Sequence, residues 1–477
     1  MSRTVDRRLR YLGVGLLRRV VITLATAATI AGPAAAAPIR GQTLMSGVIY
    51  SKQVEFTAHG PVALNVVSAP RATGLYSLRA WLSNGAVPGR ERLTEMESGI
   101  APSATVVGVN GDFFDTRWGT PSSVLMRGGV LGTGTRGGRS AAGFDADGSL
   151  HVDRVSLSGT WKGTGQFRPL GLNEPPGRSA VTLYTAAWGA ATPTESGTVE
   201  AVLARFPAAT PNTTLTAPVT QVLQGGNQAI PPNGAVLVAR GAQVNTLTAE
   251  VPAGGNVAIR LILTPRWCDI REAVGGGPVL VRNGKPVFRA NESFTASQLF
   301  TRSARSAVGQ TADGHILFVT ADGGRPGYST GMTSFELALA MMRFGAVSAC
   351  GLGTGAGATL AFDGKLLNRP SDRVGESPVA DALFVAYEGV YSPSPAATVA
   401  LGKTETLAYK VVRSSRVTAT LTGPAGTTTL DSGTKAPGTY TFDWTATAEG
   451  RWTFSVDAVD DLGRKSGTDR AFTVGSS

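Results

Sequence analysis

Acids placed where strands end, with glycine runs beside them, are the residues in this chain that could do chemistry. Asp322 opens Asp322-Gly323-Gly324-Arg325 directly after the apolar run Ile316–Ala321. A strand that stops at a polar, glycine-rich turn presents its next side chains to whatever lies beyond the sheet edge. Asn110 and Asp112 stand the same way in Asn110-Gly-Asp-Phe-Phe114, after Val106–Val109. A third acid, Asp372, falls in Asn368-Arg-Pro-Ser-Asp-Arg373, with Asn368 and Ser371 as hydrogen-bonding neighbours and Glu376 close behind. Carboxylates so placed can move protons or act as nucleophiles. Gly351-Leu-Gly-Thr-Gly-Ala-Gly357 holds four glycines in seven residues, and Gly275, Gly276 and Gly277 stand in a row. Both stretches let backbone amides come close to a ligand. Each reading has a plainer rival. Asp112 can simply stabilise a turn, Glu292 reads as a solvated loop acid, and Asp313, Asp363 and Asn283 sit at hairpin tips.

The elements that must position these residues are mostly strands. Ser306–Gln310 and Ile316–Ala321 flank Ala-Asp-Gly-His (312–315), the signal of a primed hairpin turn. A helix follows, with Thr333 and Glu336 as a capping box, Phe335, Leu339 and Met342 at helical spacing, and Gly345 at its close. Ala346–Cys350 then leads into the glycine loop, and Val379–Tyr387 is the last strand before the composition changes. Upstream, Val62–Val67 and Ser77–Leu82 read as strands and Arg92–Ser98 as a short helix. Residues 155–270 alternate short Val/Leu/Thr runs with Pro/Gly/Asn turns and predict a β-rich subdomain, to which no chemistry is assigned. Tyr391-Ser-Pro-Ser-Pro-Ala-Ala397 reads as a linker, and 398–477 as a separately folding all-β sandwich with Trp444, Trp452 and Phe454 in its core. The fold class is therefore α+β: a β-rich, mixed-sheet domain with few helices over 45–390, then a small sandwich.

Residues 1–36 read as a secretory signal. Six arginines and one acid precede the uncharged run Val20–Ala31, and Ala34–Ala37 offers small residues for cleavage. Arg18-Arg19 leaves a twin-arginine route open. The expected mature chain is exported and has no membrane span. Removing the leader lowers the formal charge from +11 to +6, 38 basic residues against 32 acidic. The remaining charge is dilute and lacks basic runs, which excludes nucleic acid as a partner and suits anionic glycans. The three histidines, His59, His151 and His315, are not spaced to share a metal with either cysteine, so no cofactor is expected. Outside the cytosol Cys268 and Cys350 read as one disulfide or as two buried thiols. The bonded pair is the expectation, because each neighbours a glycine segment that such a bond would tether.

Several of these stretches together resemble the phosphodiester glycosidase family. They are Gly108-Val-Asn-Gly-Asp-Phe-Phe114, Gly275-Gly-Gly-Pro-Val-Leu-Val281, Arg305-Ser-Ala-Val-Gly309, Asp322-Gly323, Pro326-Gly-Tyr-Ser-Thr-Gly-Met-Thr333 and Phe362-Asp-Gly-Lys-Leu-Leu-Asn-Arg-Pro-Ser-Asp372. The C-terminal Asp457-Ala-Val-Asp-Asp-Leu-Gly463 resembles bacterial immunoglobulin-like modules appended to secreted enzymes.

The resemblance implies hydrolysis of the bond between a sugar's anomeric carbon and a phosphodiester, of the N-acetylglucosamine-1-phosphodiester type, on envelope or extracellular glycans. That reaction needs donors for phosphate oxygens, a negative group facing a developing oxocarbenium ion, and a carboxylate for water or for direct attack. On this reading Arg305 is the phosphate ligand, helped by amides of Gly275–Gly277, Gly323, Gly353 and Gly355. Asp322 leads the catalytic carboxylates, with Asp112 and Asp372 behind it. Asn110, Asn368 and Ser371 take sugar hydroxyls or the acetamido group. One departure stands out. The family usually reads Leu-Asp-Gly/Ala-Gly-Gly-Ser where this chain has Leu352-Gly353-Thr354-Gly355-Ala356-Gly357. With Gly353 in place of the aspartate, a catalytically impaired glycan-binding relative is the alternative.

Overall fold

The computed structural model describes residues 41–135, 137–288 and 290–475. The expected leader, 1–36, lies outside the described residues. Among those described, no helix is long and apolar enough to cross a membrane.

Local turn chemistry explains the hairpin pairs. The Asp313-Gly314 tip folds Arg305–Thr311 onto Ile316–Ala321 in antiparallel register, with Arg305 opposite Ala321. On its other side Arg305–Thr311 pairs with Ala346–Thr354, with Arg305 opposite Thr354. These strands form the middle of an eight-stranded antiparallel sheet that runs from Gln42–Met45 at one edge to Lys285–Pro286 at the other. A second sheet of five strands is ordered Lys365–Leu366, Leu360–Phe362, Thr105–Asn110, Asp381–Tyr387 and Tyr76–Leu82. Val67, Val308, Phe318, Cys350 and Leu352 from the first sheet pack on Val107, Val109, Leu383 and Val385 from the second. Alternation along each strand supplies this shared core.

The first sheet's far face is covered by the helix Ser334–Arg343. Thr333 Oγ1 accepts from Glu336 N at 3.2 Å and Glu336 Oε2 accepts from Thr333 N at 2.9 Å, the reciprocal capping box expected. The buried stripe differs from the expected one: Leu337, Ala338, Ala340 and Met341 face the sheet, while Leu339 is 45% exposed. Phe-Glu-Leu-Ala-Leu-Ala-Met-Met is apolar on more than one side, so docking on the sheet chooses the face.

Two further sheets carry the middle of the chain. Five strands are ordered Val130–Thr133, Leu125–Arg127, Ile270–Gly275, Ser140–Asp145 and Leu150–Arg154. The 155–270 stretch forms an eight-stranded sheet from Thr214–Pro218 to Gln221–Gln224, with an additional helix, Gln243–Glu250, that turn-and-strand reading missed. Residues 398–475 form a five-stranded sheet and a two-stranded ribbon around Leu407, Tyr409, Trp452, Phe454 and Phe472, with Trp444 packed on Trp452 at 4.6 Å.

The segment expected to be a linker is pinned in place. Tyr391 bridges to Lys410 in both hydrogen-bond directions, and Ser392 is fully buried. Arg470 donates from Nε to Ser392 O at 2.7 Å, and from its two terminal nitrogens to Thr43 O at 3.2 Å and Leu44 O at 2.9 Å. Arg464 adds an ion pair to Glu388 at 3.0 Å. The C-terminal unit is thus fastened to the first strand of the body.

Candidate functional site

Antiparallel pairing brings several strand ends to one place. Asp322 and Thr354 follow or end strands flanking the start of Arg305–Thr311, while Asn110 ends a strand paired with the start of Asp381–Tyr387. The result is a continuous polar seam between the two packed sheets.

Asp322 is fully buried at one end of this seam. Its Oδ1 accepts from Asn368 Nδ2 at 3.0 Å and from Arg369 N at 3.2 Å; its Oδ2 accepts from Tyr328 OH at 2.8 Å and from Arg369 N at 3.2 Å. Donors thus fix both oxygens in place. The Tyr328 hydroxyl is pushed up to about 12, by burial first and then by its bond to Asp322. Burial and the Asp322 charge push Tyr50 up to about 12 as well. The Tyr328 ring carries the Arg369 guanidinium at 5.0 Å and the Lys52 ammonium at 5.4 Å. A fixed anion with two cations beside it can stabilise a positive centre on one side and a phosphate on the other.

Asn368 hands the seam on. It accepts from Leu360 N at 2.8 Å and donates to Ala358 O at 3.1 Å. Asn110, 1% exposed, accepts from Thr359 N at 3.0 Å and Ser306 Oγ at 2.6 Å, and donates to Gly353 O at 3.1 Å. Asp112 follows, also sealed from water, accepting from Phe113 N at 2.7 Å and Ser123 N at 2.6 Å. Its own N–H donates to Asp381 Oδ1 at 2.7 Å. Burial pushes Asp112 up to about 7 against the pull of those amides and of Arg139. Burial, then the charge of Asp112, raises Asp381 well above the usual carboxylate range. The pair therefore holds a proton near neutral pH.

The structure moves several expected residues to other work. Arg305 is buried, and its fork is turned onto main-chain carbonyls: Nε donates to Met332 O at 2.5 Å, and Nη2 to Gln298 O at 2.8 Å and Thr301 O at 2.9 Å. Desolvation lowers its pKa to about 10. It is a staple for two loops, in place of the phosphate ligand expected. The amides of the glycine turns are also committed inside the protein: Gly353 N to Gly111 O at 2.7 Å, Gly355 N to Ala304 O at 2.8 Å, and Gly277 N to Gly351 O at 2.8 Å.

These glycines serve close packing. A side chain starting at Gly275 would meet Asp112 Oδ2 at 2.3 Å, at Gly276 the Gly351 carbonyl at 2.3 Å, and at Gly323 the Ala304 amide at 2.3 Å. At Gly353 it would meet Asn110 Nδ2 and Asp112 O, both at 2.9 Å. Asp372 caps its own turn, accepting from Val374 N at 3.2 Å and Ser377 Oγ at 3.0 Å, and these contacts hold its carboxyl low. Ser371 lies half-exposed beside Gly324. The expected disulfide is absent: Cys268 and Cys350 are free, one exposed and one in the core between the sheets.

Other residues join the site that the sequence reading passed over. Asp381 opens the otherwise apolar strand Asp381–Tyr387, and a lone acid at the head of a buried run is its signal. Glu292 holds Ser140 N at 2.7 Å, Ser140 Oγ at 2.9 Å and Val279 N at 2.8 Å, so it fastens a loop against the Gly277 turn. Among the described residues no group of three His, Cys, Asp or Glu could hold a metal ion.

A cleft of about 940 Å³ lies between the Asp115–Ser122 loop and the β-rich subdomain, with Ser122 and Thr135 in its wall. Ser123, next in the chain, donates to Asp112 and contacts Thr135 Oγ1 at 3.1 Å, so the wall backs onto the Asp112 cradle. A second hollow of about 490 Å³ is lined by Arg90, Arg117, Trp118 and Pro378.

Comparison with known proteins follows the same outline. A solved hypothetical protein from Synechocystis shares the fold at TM-score 0.60 and 24% identity, over 72% of this chain and 62% of that one. A putative exported protein from Burkholderia pseudomallei K96243 does so at TM-score 0.56 and 22% identity, over 72% and 75%. The SPbeta prophage-derived uncharacterized protein YomE of Bacillus subtilis (strain 168) is 32% identical over 117 residues, 24% of this chain and 18% of that protein. This chain thus spans under a fifth of the curated relative it matches and under two thirds of the Synechocystis chain. The strand bearing Asn110 pairs with Leu360–Phe362 and Asp381–Tyr387; Leu360–Phe362, with Asp322, Asn368 and Asp381, falls inside residues 196–386, which match the family model for phosphodiester glycosidases.

Proposed function

We propose that this protein is an exported hydrolase that cleaves the bond between a sugar's anomeric carbon and a phosphodiester, on envelope or extracellular glycans. The observation that carries the reading is the family match over a stretch that holds Asp322, Asn368 and Asp381. In the reaction the anomeric C–O bond breaks and its electron pair leaves with the phosphate oxygen. A phosphomonoester departs readily as an anion, so the demand falls on stabilising positive charge at the sugar. Asp322, with both oxygens fixed by donors, is placed to supply that negative field. The proton that the attacking water gives up passes to the departing phosphate, whose second ionisation lies at about pH 6. Arg369 and Lys52, both against the Tyr328 ring, replace Arg305 as cations for the phosphate. Export rests on the arginine-rich and apolar order of residues 1–36.

The test is release of free sugar from an N-acetylglucosamine-1-phosphodiester by the wild type and by Asp322→Asn. The wild type should turn over, and the variant should fall by about 10²–10⁴-fold, the scale of one lost catalytic group. No turnover by folded wild type would remove the hydrolase reading. A second reading, binding of the same ligand without hydrolysis, is favoured by position 353. The family aspartate is absent there, and Asn110 and the Asp112 carbonyl close the space. Ligand binding with no release of sugar would select it.

A further inference from the structure

We propose that the two hollows on either side of Trp118 form one groove that holds a linear glycan chain, with the chain's anionic end at Arg90 and Arg117. The hollows share Arg117 and Trp118, so this pair stands between them. The larger, about 940 Å³, is near the top of the range of about 300–1,000 Å³ for small-ligand sites. One sugar would leave most of it empty.

Its lining has the character of a polyol site. Leu157, Leu170 and Leu172 supply an apolar floor, while Thr120, Ser158 and Gln243 put hydroxyl and amide groups along the wall. Trp118 is half-exposed and fixed in orientation: its ring lies 6.3 Å from Trp188, which meets Tyr184 edge-on at 4.9 Å. A braced indole in a wet groove offers a flat apolar face to the C–H side of a pyranose ring.

Past Trp118 the chemistry turns cationic. Arg117 lies over the Trp118 ring at 5.8 Å and Arg90 over Phe114 at 6.0 Å, so both guanidiniums are positioned by aromatic faces. Pro378 lines this end, and its neighbour Val379 places Cγ1 3.1 Å from where a side chain at Gly357 would begin. The groove therefore runs from the β-rich subdomain towards the glycine turn of the polar seam. Its cationic end adjoins that turn through Pro378 and Val379. The inference rests on the hydrolase reading only for that direction.

The probes are chito-oligosaccharides from dimer to hexamer, each with and without a phosphate at the reducing end. Binding to the full chain is followed by tryptophan fluorescence and calorimetry. Affinity should rise with length until the groove is filled, and the phosphate should tighten it further. Trp118→Ala should weaken the hexamer by about tenfold and the dimer less, with Trp118→Phe between wild type and alanine. Arg90→Gln combined with Arg117→Gln should remove the gain from phosphate and leave unphosphorylated chains bound as before. An affinity independent of length, no binding at any length, or a folded Trp118→Phe and Trp118→Ala series equal to wild type would overturn the groove. Turnover of a short sugar-1-phosphodiester is read on the same samples. Length-dependent binding without turnover keeps the groove and removes the hydrolase reading; turnover with length-independent binding does the reverse.

Discussion

The main-chain N–H of Asp112 donates to Asp381 Oδ1 at 2.7 Å, and so joins two carboxyl groups that are both sealed from water. Burial raises both pKa values in the folded state, and the charge of Asp112 raises that of Asp381 further. A raised carboxyl pKa favours folding while the group is protonated. That contribution is complete below about pH 4 and is lost as pH rises through about 7, the Asp112 value. Glu97, pushed up to about 8, and Glu200, up to about 7, act with the same sign. The melting temperature should therefore be higher at pH 5 than at pH 8. Asp381→Asn removes one of the two charges while keeping an acceptor for Asp112 N. It should raise the melting temperature at pH 8 and flatten the pH dependence; an unchanged slope would put the titrating groups elsewhere.

Restoring the family aspartate should not restore activity. A side chain at 353 would begin 2.9 Å from both Asn110 Nδ2 and Asp112 O, inside the packed seam. Overpacking of this kind costs about 1–3 kcal/mol, and here it also displaces the amide that Asn110 donates to Gly353 O. Gly353→Asp should melt several degrees below wild type with sugar release no faster. A faster variant of equal stability would show that the seam opens readily.

The two thiols should differ sharply. Cys268 is exposed, while Cys350 lies in the core, where burial first and then the charge of Glu292 push its thiol far up. Alkylation of folded, unreduced protein should label Cys268 alone, and denaturant should add the second label. Mass spectrometry that finds neither labelled, with both recovered after reduction, would restore the disulfide.

Arg305 gives a test of staple against ligand. Its fork serves carbonyls of Gln298, Thr301 and Met332, so Arg305→Gln strands buried acceptors and should cost about 2–4 kcal/mol of stability. The KM for a sugar-1-phosphodiester should change little in protein that remains folded. A large rise in KM at unchanged melting temperature would return Arg305 to the phosphate.

What could be read from the chain beforehand was what short-range chemistry encodes. The Asp313-Gly314 tip, the Thr333–Glu336 capping box and the exit of Asp322 from its strand are all set within a few residues. Where Arg305 points is set by loops at 298–301 and 332, which no periodicity encodes. Asp381 was hidden because its partner lies 269 positions away in the chain. Glu292 looked solvated because Ser140, its main partner, belongs to a strand 152 residues earlier. The glycines misled in a specific way. Absence of a side chain is equally suited to receiving a ligand and to receiving the protein's own backbone, and at 353 the backbone is what arrives.

Arg470 closes onto Thr43 and Leu44 across 427 and 426 positions of chain. A nascent polypeptide cannot make that contact until Arg470 has emerged, and loop closure of this length comes late in folding. The strand Gln42–Met45 thus waits for an arginine in the strand Lys465–Gly475. A chain cut short anywhere before Arg470 lacks both contacts. Quality control that senses loose ends would read such a truncation as a defect at Thr43 and Leu44, more than 400 positions away in sequence.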